Sequence, residues 1–212
     1  MVEAAPSERR VRSDVIRVVV LACAVVSADA LGTGYEVVAH CRSGVPNGAY
    51  ELRLSDGRLR VAGAFSQGRM TGTFIFWTPE GARLAVVPLD NDLRNGTIAL
   101  WYTTRDGRTE SGHKLEAPYV DGRPHGIKRS WYANGAQRSE SRYERGALLE
   151  ARAWTPRGSP LPDEEARKLT ARDAEADERS YRSLLALVRE HLPICEPATP
   201  DPVAPALEPP RG

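Results

Sequence analysis

The chain has 212 residues, 41% hydrophobic and 27% charged, which suits one globular unit with tails. Its net charge of only +1 gives no global argument for a nucleic-acid partner. 

The N-terminus reads as a leader and not as part of the fold. Arg9, Arg10, Arg12 and Arg17 form a basic segment, and an uninterrupted apolar run follows from Val18 to Val26. Ser27-Ala28-Asp29-Ala30 then supplies the small-x-small pattern of signal peptidase cleavage after Ala30. The run falls short of the roughly 20 residues needed to span a bilayer. Lipidation of Cys23, read from Val20-Leu21-Ala22-Cys23, is a rival processing event. Against it, Leu21 is large where a small residue is usual, and the apolar run continues past the cysteine.

Cleavage after Ala30 removes Cys23 and leaves Cys41 and Cys195. An even pair in an oxidising compartment predicts a disulfide tying the start of the mature domain to the end of its last helix. His40 beside Cys41 invites a cysteine–histidine nucleophile, but adjacent strand residues point to opposite faces, and a disulfide would consume the thiol.

From residue 47 the chain repeats. Trp77, Trp101, Trp131 and Trp154 hold one phase, each followed by a turn glycine: Gly81, Gly107, Gly135 and Gly158. Gly72, Gly96 and Gly126 open the units carrying the first three tryptophans, and Gly48 opens the unit before them. The third unit turns two residues late, at Asp106-Gly107. The second half of each unit closes on an apolar residue followed by a turn: Phe65 with Gly68, Leu89 with Asp92, Tyr119 with Gly122, Tyr143 with Gly146. Each unit is therefore two short strands with a turn at each end, and Asp-Gly or Asn-Gly supplies positive φ at little cost. Strand alternation puts Phe74 and Phe76 on the face opposite Ile75 and Trp77. A lone hairpin is marginal in water, so the units must pair edge to edge. The tryptophans then form a ladder along one face, read as scaffold packing.

After Gly158, Pro160 and Pro162 punctuate, and Asp163-Glu164-Glu165 opens a helix ending near His191. Its later turns carry the stripe Tyr181, Leu184, Leu185, Val188 and Leu192, while its first half is mostly alanine and charge. Only the later turns are expected to pack firmly, as a cap over an open sheet. The tail beyond, rich in proline, is expected to be disordered. Residues 31–158 hold 18 basic and 13 acidic groups, a balance of +5, whereas residues 159–212 hold 7 and 11, a balance of −4. The helix could dock on the sheet through this complementarity, or the sheet could meet an anionic partner, or both faces could simply be solvated.

The fold class read from this pattern is mainly β. It is an elongated single sheet of stacked hairpin repeats, about 4.5 units of about 24 residues, with a C-terminal capping helix. The organisation is a leader at 1–30, a lead-in at 31–46, repeats at 47–158, the helix at 159–195 and the tail at 196–212.

The glycine-flanked pattern resembles MORN-type repeats, and looks most like the bacterial MORN-variant class known as YwqK-type antitoxin proteins. The matching signature is Tyr119-Val120-Asp121-Gly122-Arg123-Pro124-His125-Gly126 followed by Trp131-Tyr132-Ala133-Asn134-Gly135. The other copies are looser, and the likeness covers residues 47–158. It implies stacked hairpins acting as binding or scaffolding surfaces, with membrane association in some eukaryotic members and toxin neutralisation in the antitoxin class. A secretory leader sits at odds with a cytoplasmic antitoxin.

The residues offer little chemistry. His40, His113, His125 and His191 are dispersed, and neither a His-x-x-x-His nor a Cys-x-x-Cys occurs. There is no nucleophile elbow, phosphate loop or dinucleotide fingerprint. The pairs Glu164 with Glu165 and Asp90 with Asp92 lie at a helix start and a turn, where acids have local reasons to be. The reading is a non-enzymatic periplasmic or secreted protein without a cofactor, metal or nucleic-acid partner. It binds a protein or another envelope component, and Arg53, Arg83, Arg129 and Arg138 are the candidate contact residues. The alternatives are a toxin-neutralising protein, an envelope carbohydrate-active enzyme and a membrane-surface module.

Overall fold

The computed structural model describes residues 34–196 and, in addition, the backbone of the two-residue strand Val25–Val26. Cys23, the rest of the predicted leader and the residues beyond Glu196, where a disordered tail is expected, lie outside the described residues. The strands are β1 (Val25–Val26), β2 (Tyr35–Arg42), β3 (Val45–Leu54), β4 (Leu59–Ser66), β5 (Arg69–Trp77), β6 (Arg83–Asp90) and β7 (Leu93–Arg94). They continue as β8 (Gly96–Thr103), β9 (Glu110–Val120), β10 (Arg123–Pro124), β11 (Gly126–Trp131), β12 (Gln137–Glu144) and β13 (Ala147–Ala153). All pair antiparallel in one open sheet, in chain order, with short β7 and β10 branching from β6 and β9. One helix, α1 (Asp163–Glu190), follows. The sheet begins earlier than the repeats read from sequence: β2 lies in the lead-in and forms a full hairpin with β3. Val25 and Val26, inside the predicted leader, pair with Val38 and Val37 on the outer edge of β2.

Two kinds of turn alternate along the sheet. At one end, two-residue turns have both residues at positive φ, as in Gln67-Gly68, Asp121-Gly122 and Arg145-Gly146. Each of these turns stacks on the one before. Gly68 N–H donates to the Pro46 carbonyl, Gly122 to Arg94 and Gly146 to Pro124, each at 2.8 Å. At the other end lie Asp56-Gly57, Asp106-Gly107 and Asn134-Gly135. There only the glycine has positive φ, as at Gly57 (+85°) and Gly135 (+82°), and the loop is one residue longer. Asp-Gly therefore occurs at both ends, in the wider turns at Asp56-Gly57 and Asp106-Gly107 and in a tight turn at Asp121-Gly122, and other tight turns carry residues such as Gln67 and Arg145.

The opening glycines have a separate cause. Gly96 and Gly126 sit at φ +118° and +108°, and a Cβ there would come within 3.0 and 3.1 Å of Pro88 and Pro118. Both prolines lie in strand interiors, where they cannot donate to the neighbouring strand. The ladder is cut short at each: β6 pairs β8 only at Ala85–Leu100 and Val86–Ala99, and β9 pairs β11 only at two positions. Asn95 and His125 N–H groups cap the freed proline carbonyls at 3.1 and 3.0 Å.

One face of the sheet is the core. A single register row crosses it: Val37, Leu52, Val61, Phe76, Ala85, Leu100, Leu115, Ser130, Ser139, Ala153. Large side chains fill the early strands, and serine and alanine fill the late ones. Phe74 and Phe76 are almost wholly buried and Ile75 and Trp77 are not, as alternation requires.

The helix lies across this face from edge to edge. Ala166 and Leu169 pack with Ala153 of β13, and Thr170 meets Ser141 of β12. Asp177 pairs with Lys128 of β11, Tyr181 meets Tyr119 of β9, and the His191 carbonyl accepts Tyr50 OH from β3. Twenty-eight residues at 1.5 Å give about 42 Å. Ten strands from β2 to β13 span about 43 Å at 4.8 Å spacing. The two lengths match, and Cys195 then bonds Cys41 on β2, with Cα atoms 5.7 Å apart.

The first half of the helix packs more firmly than its composition suggests. Ala166, Leu169 and Thr170 are buried over the serine and alanine end of the sheet, where small residues on both sides fit. Three acids of the helix also pair with sheet cations: Asp173 with Arg138, Asp177 with Lys128 and Glu178 with Arg94. The charge complementarity is thus realised inside the molecule. Leu192, placed in the apolar stripe by its spacing, falls beyond the helix and is 45% exposed.

Candidate functional site

Among the described residues no helix lies over the other face of the sheet. Its central register row runs Val38, Glu51, Ala62, Ile75, Val86, Ala99, Glu116, Arg129, Glu140, Arg152. The middle of this row is uncharged. The adjoining outward positions extend the patch: Ala64 pairs with Thr71, Thr73 with Pro88 and Thr97 with Pro118. A solvated antiparallel face usually alternates polar residues outward. Here a band from β4 to β8 presents only alanine, threonine, proline, valine and isoleucine.

Charge returns at both flanks. Glu51 holds Arg53 through contacts at 2.9 and 2.5 Å, and Arg53 also donates to the Gly57 carbonyl. On the other side Arg129 pairs across strands with Glu140 at 3.0 Å, and within β9 the Glu116 carboxylate meets the His113 ring at 3.1 Å. Alternating signs in one row are the arrangement that opposite-charge cross-strand pairs favour. Exposed pairs of this kind add little stability, about 0–1 kcal/mol each.

The tryptophans sit at the wide-turn ends of their strands. Trp101 and Trp131 are joined through His113, whose ring lies edge-on between them at 5.4 and 5.8 Å. Arg83 covers Trp101 at 4.0 Å and bonds Glu110 at 3.0 Å, so Trp101 is only 8% exposed. The units are also stapled by tyrosines that the tryptophan pattern hid. Tyr102 OH donates to the Trp131 carbonyl at 3.0 Å, and Tyr132 OH to the Trp154 carbonyl at 2.8 Å. The repeated Trp-Tyr dipeptide was the signal in the sequence. Burial raises the Tyr102 pKa, which keeps this donor protonated.

The four candidate arginines do not share one surface. Arg53 and Arg129 flank the uncharged band, and Arg83 shares a trough with Ile75, Trp77 and Glu110. Arg138 lies on the helix side, held by Asp173 at 2.8 and 2.9 Å and stacked on Tyr132. The Asp173 hydrogen bonds raise its pKa further. A β-bulge causes this placement: Ser130 faces Ser139 while Trp131 faces Gln137, which leaves Arg138 as the extra residue.

Among the described residues no group of three or more His, Cys, Asp or Glu could hold a metal ion. His125 fills a turn position and accepts the Arg145 N–H at 3.3 Å. No helix among the described residues is long and apolar enough to cross a membrane. The disulfide is compatible with an oxidising periplasmic or secreted location. No protein-family model and no curated protein matches the chain.

Proposed function

We propose that the chain is a non-enzymatic repeat protein of the periplasm or extracellular space that binds another protein, or an envelope component, on the uncovered sheet face. The observation that carries this reading is the uncharged band from Ala62 to Ala99 flanked by paired charges, since an apolar centre with a polar rim is the anatomy of an interface. The leader pattern read in the sequence at residues 1–30 and the Cys41–Cys195 bond support the compartment. The MORN-variant likeness supports the role of a stacked-hairpin scaffold. Intact-mass measurement with and without reductant tests cleavage after Ala30, lipidation of Cys23 and the disulfide together.

The partner surface is tested in producing cells by a photo-crosslinking residue at Ile75 or at exposed Arg172 on the helix. A discrete adduct at Ile75, absent at Arg172 and abolished when neighbouring Val86 is changed to Glu, is expected. Identical adducts at both sites, or none at Ile75, overturn the reading.

A further inference from the structure

The bulge that turns Arg138 toward the helix recurs at the same phase in other units. Arg53 pairs with Leu59 after Leu52 pairs with Val61, which leaves Arg60 as the extra residue. Leu84 and Lys114 arise identically between β5 and β6 and between β8 and β9. Arg60, Leu84, Lys114 and Arg138 thus form a column along the wide-turn side of the sheet, on the helix face. Bulges re-aim side chains, and here the repeat re-aims four into one line.

The helix axis follows the core rows and does not cover this column. Its core stripe is Tyr181, Leu185 and Val188. A second stripe, Ala176, Arg179, Ser180, Ser183, Leu184 and Leu187, falls at i, i+3, i+4, i+7, i+8 and i+11, and forms one flank. Between flank and column runs a trough of about 560 Å³, floored by Leu84, Leu100 and Trp101. That size falls within the usual range for sites that enclose a small ligand, roughly 300–1,000 Å³.

Charge in the trough is one-sided. At its far end Arg138 and Lys128 are neutralised by Asp173 and Asp177. Along the trough the ionisable residues are Arg60, Lys114 and Arg179, with no carboxylate among them. None of the three has an ion-pair partner among the described residues. The guanidinium of Arg60 donates to the Trp77 carbonyl, and its Nε is buried without an acceptor. Lys114 meets only the Tyr102 ring, at 5.9 Å, and three cations outside any ion pair, bordering leucines, match a ligand that is anionic at one end and apolar along its length. A purely polar anion would leave the leucines wet.

We propose that this trough binds a single-chain anionic amphiphile, its acyl chain against Leu84, Leu184 and Leu187 and its carboxylate or phosphate headgroup on the cations. The site lies on the opposite side of the sheet from the partner surface and does not depend on it. The test uses the intact protein titrated with dodecanoate, dodecyl phosphate, dodecanol and dodecyltrimethylammonium below their micelle concentrations, read by calorimetry and tryptophan fluorescence. Saturable binding of both anions at one site is expected, with dodecanol about tenfold weaker or worse for want of a charge-assisted contact. K114E/R179E should weaken the anions by a similar factor with an unchanged denaturation midpoint, and L187R should block the chain, whereas I75E leaves binding intact. Binding of dodecanoate but not dodecyl phosphate, or the reverse, assigns the headgroup within the proposal. Equal binding of the cation, or anion binding unchanged in K114E/R179E, overturns it. So does preferential occupancy by a synthetic peptide of residues 197–212, which would make the trough a peptide groove.

Discussion

Reducing the disulfide perturbs the molecule at the one point where its two ends are joined covalently. Cys41 and Cys195 are 154 residues apart, and loop closure in the chain-entropy description then stabilises the fold by about 5 kcal/mol at 25 °C. At a urea m-value of roughly 2 kcal/mol/M this is a fall in midpoint of about 2.5 M. The helix does not detach outright, because Tyr181, Leu185 and Val188 stay buried and each contributes roughly 1.5–3 kcal/mol. The assay is urea unfolding of oxidised protein, reduced protein and C41S/C195S, followed separately by helical circular dichroism and tryptophan fluorescence. Oxidised protein should unfold in one step. In the reduced protein the helix signal should move first, since the sheet is built of neighbour contacts while the far half of the helix loses its anchor. Coincident midpoints for oxidised and reduced protein would refute the account and make the bond a bystander to packing.

Other outcomes follow from packing and charge. K128A strands Asp177 in a site where its side chain is 14% exposed, and should cost about 3–5 kcal/mol in chemical denaturation, whereas K128M/D177L should recover most of it. G63A puts a Cβ 2.5 Å from the Phe74 ring and should cost about 1–3 kcal/mol, with F74L restoring part of the loss if the clash is the cause. F74A alone should cost about 3–5 kcal/mol. Burial pushes the Tyr143 phenol up from 10.0 to about 12 and raises Tyr50 and Tyr181 as well. The folded chain therefore keeps protons that the unfolded chain releases. Stability should hold below pH 10 and fall as pH rises from there through 12, with phenolate absorbance and unfolding tracking each other. Phenolate appearing in full at pH 10 with the fold intact would contradict this burial.

Much of this architecture was legible because repetition and alternation are properties of the chain itself. Glycine spacing gave the hairpins, Phe74 and Phe76 against Ile75 and Trp77 gave the faces, and Pro160 and Pro162 with the acidic start at Asp163 placed the helix. What could not be read depended on partners distant in sequence. The bulge column needs two strands in register before Arg60 or Arg138 becomes the extra residue. Arg138 thereby moved from candidate contact to helix anchor. The first half of the helix looked weak because its alanines and acids only gain value opposite Ser141, Lys128 and Arg138. The tight turns were placed by their glycines and Asp92, but the positive φ of Gln67 and Arg145 was not legible, because these are not the residues that such a conformation ordinarily selects.

The equality of helix length and sheet width makes α1 a gauge of repeat number. Duplicating one hairpin would widen the sheet by two strands, about 9.6 Å, which only some six or seven added helical residues could bridge. Without them Cys195 would stop short of Cys41 and the edge would lose its clasp. Repeat arrays ordinarily gain and lose units freely. This chain can change its count only by altering two distant segments together, so its size is set by closure and not by propagation.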